Sequence, residues 1–166
     1  MHVKIPILTV LGPGEALDEE EHVAATLGQA AARAGWAVLT GGGGGVMAAA
    51  SRGAAEAGGL TIGILPGARV QPGSPNRWVA LSIPTGLGMA RNVINVLAAD
   101  LCVAVGGAAG TLSEVALASK AGLEVWWWRP WRLEPPDAAR RLRIRIFDDA
   151  AELLRAVEDA MTRVPS

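Results

Sequence analysis

Two glycine-rich stretches hold the residues of this chain best placed to do chemistry. The first is Val38-Leu39-Thr40-Gly41-Gly42-Gly43-Gly44-Gly45-Val46-Met47, and the second is Cys102-Val103-Ala104-Val105-Gly106-Gly107-Ala108-Ala109-Gly110-Thr111-Leu112. Each follows an apolar run of strand type and opens directly into a helical pattern. A loop that passes at once from strand to helix presents the helix's first, unpaired N–H groups, and without side chains in the way a phosphate approaches them closely. Two such loops at the ends of different strands predict one ligand held between them, a nucleotide or a sugar phosphate. The residues expected to face it are Gly12 after the first strand, then Gly41, Gly42, Gly43, Gly44 and Gly45, and then Gly106, Gly107, Gly110 and Thr111, with Asn92 alongside. A glycine run also serves as a plain tight turn, and that reading stays open. No Gly-Lys-Ser/Thr follows either loop, so neither is a Walker loop, and the first follows the second strand without dinucleotide-fingerprint spacing. An ATPase or an NAD enzyme is disfavoured.

Arg91 and Glu114 are the charged residues expected to act with these loops. Arg91 opens the helix that follows Gly86-Leu87-Gly88-Met89-Ala90. A cation at a helix start gains nothing from the dipole, so an anion or a carboxylate such as Glu114 would account for it. A solvated surface arginine is the alternative. Thr111 and Glu114 have the spacing of a capping box, in which Thr111 caps the helix and Glu114 reaches back to the cap N–H. The functional reading has the same helix start holding phosphate through its N–H groups and the Thr111 hydroxyl, while Glu114 accepts from sugar hydroxyls. A carboxylate near a helix N-terminus favours its ionised form. Glu114 is thus expected to be a poor proton donor at neutral pH, suited to stabilising positive charge.

Other chemistries find less support. The lone cysteine, Cys102, sits in an apolar run and reads as a small core residue. His2 and His22 have no ligand-like spacing with Cys, Asp or Glu, so no metal site is expected. Formal net charge is −1, which gives no push toward nucleic acid or an anionic membrane. Trp126-Trp127-Trp128 and Trp131 read as packing of a buried strand and the loop after it, with a subunit contact or a base-stacking face as the alternative. Arg129, Arg132, Arg140, Arg141, Arg143 and Arg145 read as a solvated loop and edge strand. No apolar run reaches transmembrane length, and Met1–Pro6 lacks the pattern of a signal peptide, so a cytoplasmic protein is expected.

These residues need a frame, and the order of elements supplies one. The 166 residues, 51% hydrophobic and 19% charged, suit a single domain with a sizeable core. Strands are expected at Ile5–Val10, Trp36–Thr40, Leu60–Leu65, Val79–Ile83, Leu101–Val105, Glu124–Trp128 and Arg143–Phe147. Helices are expected at Asp18–Ala34, Val46–Ala57, Met89–Ala98, Leu112–Ala121 and Asp148–Met161, the last with Asp148 as N-cap. Alternation of helices with continuously apolar strands is the pattern of a parallel sheet covered on both faces. The fold expected is α/β, a Rossmann-like, doubly wound sheet of about six to seven strands, with its ligand at the strands' carboxyl ends. The alanine-rich helix Val46–Ala57 offers a small-residue surface for close helix packing between subunits.

The segments Gly41–Ala50 with Gly53-Ala54, Met89-Ala90-Arg91-Asn92 and Gly106–Glu114, in that order, are specific together. Through them the chain, from Ile5 to about Ala121, resembles the bacterial branch of the LOG (lonely-guy) family, once mislabelled lysine decarboxylases. It is most similar to that family's small Rossmann-like members akin to molybdenum cofactor carrier proteins of algae and bacteria. In LOG enzymes an arginine of a Met-His-x-Arg-Lys motif and a glutamate of a Pro-Gly-Gly-x-Gly-Thr-x-x-Glu motif cleave the N-glycosidic bond of a nucleoside 5′-monophosphate. The resemblance puts Arg91 and Glu114 in those places. Here the motif's Met, His and Lys are Gly88, Met89 and Asn92, and its Pro and second Gly are Gly106 and Ala108. These replacements favour a binding or carrier protein for a nucleotide or molybdopterin-type ligand, with no further cofactor required. The retained Arg91 and Glu114 favour a phosphoribohydrolase acting on AMP-like or cytokinin-type nucleotides. The resemblance also implies a homodimer or homotetramer. A decarboxylase has no support, because the two lysines, Lys4 and Lys120, fit no pyridoxal phosphate site.

Overall fold

A computed structural model describes residues 4–133 and 142–163. Seven strands are present: β1 (Ile7–Leu11), β2 (Ala37–Thr40), β3 (Thr61–Leu65), β4 (Leu81–Pro84), β5 (Leu101–Val105), β6 (Val125–Trp128) and β7 (Ile144–Phe147). They form one sheet in the order β4-β3-β2-β1-β5-β6-β7, every pair parallel. The first four strands step outward from β1, and the chain then returns to lay β5 on the other side of β1. That reversal opens a crevice at the carboxyl ends of β1 and β5, where doubly wound sheets bind ligands. β2 and β3 are buried at every position, as their unbroken apolar runs predict, whereas edge strand β4 is largely exposed.

Five α-helices cover the two faces: α1 (Asp18–Arg33), α2 (Gly45–Glu56), α3 (Asn92–Leu97), α4 (Ala109–Lys120) and α5 (Ala150–Arg163). Helices α1, α2 and α5 pack with Leu8, Val10, Val38, Val103 and Val105 in one core. On the other face α3 and α4 pack with Leu11, Ala104 and the fully buried Trp127. Cys102 belongs to this second core, and burial pushes its thiol pKa up, with the charge of Glu114 adding to the effect. α1 and α2 cross through small residues. A Cβ on Gly53 would lie 1.9 Å from the Ala25 carbonyl oxygen, and one on Gly28 would lie 2.1 Å from that of Ala50. The small-residue surface of α2 is therefore consumed inside the chain and is not the intersubunit face expected of it.

Several boundaries differ from expectation for local reasons. β4 begins at Leu81 because the Thr61 hydroxyl donates to the Trp78 carbonyl and accepts from the Ala80 N–H, which holds Val79 out of the ladder and over Gly63. The helix expected from Met89 is divided into a 3-10 turn, Gly88–Arg91, and α3. α5 is capped by Asp149 rather than Asp148, its carboxylate accepting from the Ala151 N–H at 3.0 Å. α4 begins at Ala109, three residues before expectation, because the turn is completed at Gly106-Gly107 and Ala108 and Ala109 are competent to start a helix. Arg140 and Arg141, part of the expected basic stretch, lie outside the described residues.

Candidate functional site

The two glycine loops leave β2 and β5, the strands on either side of β1. Neighbouring strands lie about 5 Å apart, which puts the loops roughly 10 Å from one another. Gly12, at the end of β1, is wedged between them, since a Cβ there would meet Val46 Cγ1 at 2.4 Å and the Val105 carbonyl oxygen at 2.8 Å. Its packing alone accounts for a glycine.

The first loop is partly closed by the protein's own groups. The Gly42 N–H donates to Thr40 Oγ1, the Val46 N–H to the Pro13 carbonyl and the Met47 N–H to the Gly44 carbonyl. Gly44 and Gly45 lie against the Pro13 and Gly14 carbonyls. The start of α2 is thus not the bare anion seat that five glycines suggest. Asn76, from the segment between β3 and β4, braces the loop: its N–H donates to the Gly42 carbonyl and its Nδ2 to that of Gly43.

The second loop is open. Gly106, at φ +64°, donates its N–H to the Trp128 carbonyl and accepts from the buried Trp127 Nε1 at 2.6 Å. Among the described residues no protein group accepts from the N–H of Gly107, Ala108, Ala109, Gly110 or Thr111. Among the described residues a Cβ on Gly110 would meet nothing within 4 Å, so they leave open space beside the helix start. The capping box is not formed. Ala108 is the N-cap, and the Thr111 hydroxyl is buried without a partner. The start of α1, by contrast, is already negative. Four acids fill its first turn, and Glu20 Oε2 accepts from the Leu17 N–H at 3.0 Å while its other oxygen lies against Gly106. An anion is repelled there and drawn to α4.

Arg91 and Glu114 lie near enough to feel each other's charge, but among the described residues they form no ion pair. The Arg91 guanidinium lies flat on Gly41, where a Cβ would sit 2.1 Å from Nη1, and its Nε and Nη1 are buried without partners. Burial lowers the Arg91 pKa and the charge of Glu114 partly restores it, yet a guanidinium stays charged. Glu114 Oε1 accepts from Asn95 Nδ2 at 2.8 Å, and the second acceptor position of this buried cluster, Asn95 Oδ1, has no partner. Burial pushes the Glu114 pKa above the usual carboxylate range, against the opposing pull of Asn95 and Arg91. This overturns the expectation that the helix dipole keeps Glu114 firmly ionised. With α4 starting at Ala109, Glu114 lies in the second turn, beyond the dipole's main reach. Asn92 stands at the rim, 3.4 Å from Ser113 Oγ.

Asn95 and Asn76 are not site candidates by sequence, and Glu20 is legible there only as one of four acids that complement the dipole of the first helix. Asn95 carried a readable signal, since it lies four residues after Arg91 and so shares its helical face. Asn76 acts across distant parts of the chain and carried none, whereas Glu20 bonds locally to Leu17 and only its approach to Gly106 is long-range. The site combines unpaired backbone N–H groups, an unpaired hydroxyl, an unpaired guanidinium edge and a single carboxylate, which is a donor-rich set. Among the described residues, no three His, Cys, Asp or Glu side chains gather as metal ligands.

Residues 5–155 match the family described as SLOG cluster4. The chain belongs to that family. As a member of this LOG-like group it is similar in structure to the molybdenum cofactor binding protein of the phototrophic bacterium Rippkaea orientalis, at 38% identity and a TM-score of 0.81, covering 96% of this chain and 99% of that one. The molybdenum cofactor carrier protein of Chlamydomonas reinhardtii is also similar, at 36% identity and a TM-score of 0.78, over 96% and 100% of the two chains. A protein of Archaeoglobus fulgidus is 37% identical over 142 residues, 86% of this chain and 89% of that one. The SLOG match runs past Ala121 through β6 and β7 and into the first part of α5, further than the motifs alone carry the resemblance.

Proposed function

We infer that this SLOG protein binds a phosphorylated organic ligand at the start of α4 and acts as a carrier, with a molybdopterin-type cofactor as its cargo. The observation that carries this reading is the run of unpaired N–H groups from Gly107 to Thr111 beside the buried, unpartnered Thr111 hydroxyl and Arg91 guanidinium. These groups fit a phosphate and offer a bare metal ion at most one hydroxyl oxygen, so a metal would be held chiefly by the cargo's own atoms. The likeness to molybdenum cofactor binding and carrier proteins along nearly the whole chain supports the same ligand class. Gly41 admits the guanidinium, and Gly106–Gly110 bound the seat, while Gly43–Gly45 belong to the closed first loop.

A nucleoside 5′-monophosphate phosphoribohydrolase is the second reading, favoured by the joint presence of Arg91 and Glu114 in one cluster. The test incubates the pure chain with AMP, follows free base by chromatography, and identifies any co-purified ligand by mass spectrometry. The carrier reading expects a pterin-type ligand, or phosphate-dependent thermal stabilisation, with no base released. Base release that Glu114→Ala and Arg91→Ala abolish would establish the hydrolase instead. Thr111→Val should leave the ligand-free Tm within about 2 °C, since no cap is lost, and should reduce the ligand-induced rise.

A cytoplasmic location and a homo-oligomer belong to this reading. No helix among the described residues is long and apolar enough to cross a membrane. Between Arg77 and Asp100 the sole charged residue is Arg91, and Leu87, Met89 and Leu97 are exposed there, Met89 by 88%. So large an uncharged apolar surface suits contact with a second copy.

A further inference from the structure

Trp131 is the one exposed tryptophan of six. Trp36, Trp127 and Trp128 are buried and Trp78 and Trp126 half-buried, whereas Trp131 is 44% exposed. Its ring is nonetheless fixed. Indole Nε1 donates to the Gly107 carbonyl at 3.1 Å, and a Cβ on Gly107 would lie 2.8 Å from ring atom Cδ1, so the indole rests on the backbone of the second loop. The chain leading to it is fixed as well. Arg129 takes a left-handed turn at φ +55°, pairs with Glu19 at 2.9 Å and lies over the Trp128 ring. A large aromatic face is thereby left partly in solvent, anchored to the residue at which the unpaired N–H groups of α4 begin.

We propose that Trp131 is a stacking platform for a planar heteroaromatic ring carried by the ligand whose phosphate occupies the start of α4. The inference rests on the anion reading of that helix start and adds the ligand's other end. Phosphate and ring are recognised by adjacent atoms of one loop: the N–H groups from Gly107 onward take the anion, and the Gly107 carbonyl holds the indole. Stacking tolerates any flat heterocycle, purine or pterin, because each presents a π-face. The hydrogen bond holds the indole before ligand arrives, so less side-chain freedom is lost on binding.

The test titrates the full chain with AMP and with ribose 5-phosphate, read by tryptophan fluorescence and by thermal unfolding. Both are expected to raise Tm. AMP should bind at least about fivefold tighter and quench fluorescence that ribose 5-phosphate leaves unchanged. Trp131→Phe keeps a ring and should keep most of the affinity gap while losing the quench. Trp131→Ala should bring AMP down to the affinity of ribose 5-phosphate. Equal binding of the two ligands by the unaltered chain, or a gap that survives Trp131→Ala, overturns the platform while the anion seat stands. If neither ligand binds, the anion reading fails and the platform fails with it.

Discussion

Glu114 sits on a helix whose N-terminus favours negative charge, yet its acidity follows its burial. One hydrogen bond from Asn95 and the nearby charge of Arg91 do not offset the desolvation of its carboxylate. The folded chain therefore holds the Glu114 proton more tightly than the unfolded chain, where the pKa is about 4.3. Stability should then fall as pH rises from that value through the raised folded one, and stay level on either side, because the folded state binds more protons in that window. Glu114→Gln keeps an acceptor for Asn95 and removes the titration. Urea unfolding between pH 4 and 8 should show the Gln variant gaining on the unaltered chain as pH rises; parallel curves would contradict the dominance of burial.

Glycines of similar appearance serve opposite purposes at the level of elements. Gly53 lets α2 touch α1, and its missing Cβ is where the Ala25 carbonyl oxygen comes. Gly110 stands at the start of α4, and among the described residues nothing lies where its Cβ would be. Gly53→Ala should destabilise the chain by about 1–3 kcal/mol through overpacking, in spite of its better helix propensity. Gly110→Ala should stabilise the ligand-free chain by up to about 1 kcal/mol and weaken phosphate binding, because a methyl then stands in the anion's approach. Denaturant midpoints with and without phosphate measure both. A loss of stability in Gly110→Ala would mean that the space before α4 is not free.

For the whole molecule, the sheet order brings residues from three separate stretches to one end of the sheet, and Leu87, Met89 and Leu97 are exposed on the segment that carries Arg91. If a second copy covers this surface, Met89→Asp with Leu97→Asp should reduce the mass seen by light scattering to that of one chain. Both side chains are exposed, so the isolated fold should keep its Tm within a few degrees. An unchanged mass would remove this face from the assembly.

Much of this was written in local patterns. Apolar runs and glycine punctuation marked all seven strands, and strand–loop–helix junctions marked both loops, because period and turn chemistry act over a few residues. The nearness of Arg91 to Glu114 was readable from a cation at a helix start that the dipole does not account for, and from motif resemblance. Tertiary structure decided which helix start stayed open. Pro13 closes α2, Glu20 caps α1 and leaves it negative, and nothing among the described residues closes α4. It also decided that Thr111 is an unpaired hydroxyl rather than a cap, and that Asn95 holds Glu114. The physical reason is common to these cases: an N–H or a hydroxyl is free or taken according to which distant carbonyl the fold brings to it, and burial sets a carboxylate's proton affinity through every element packed around it.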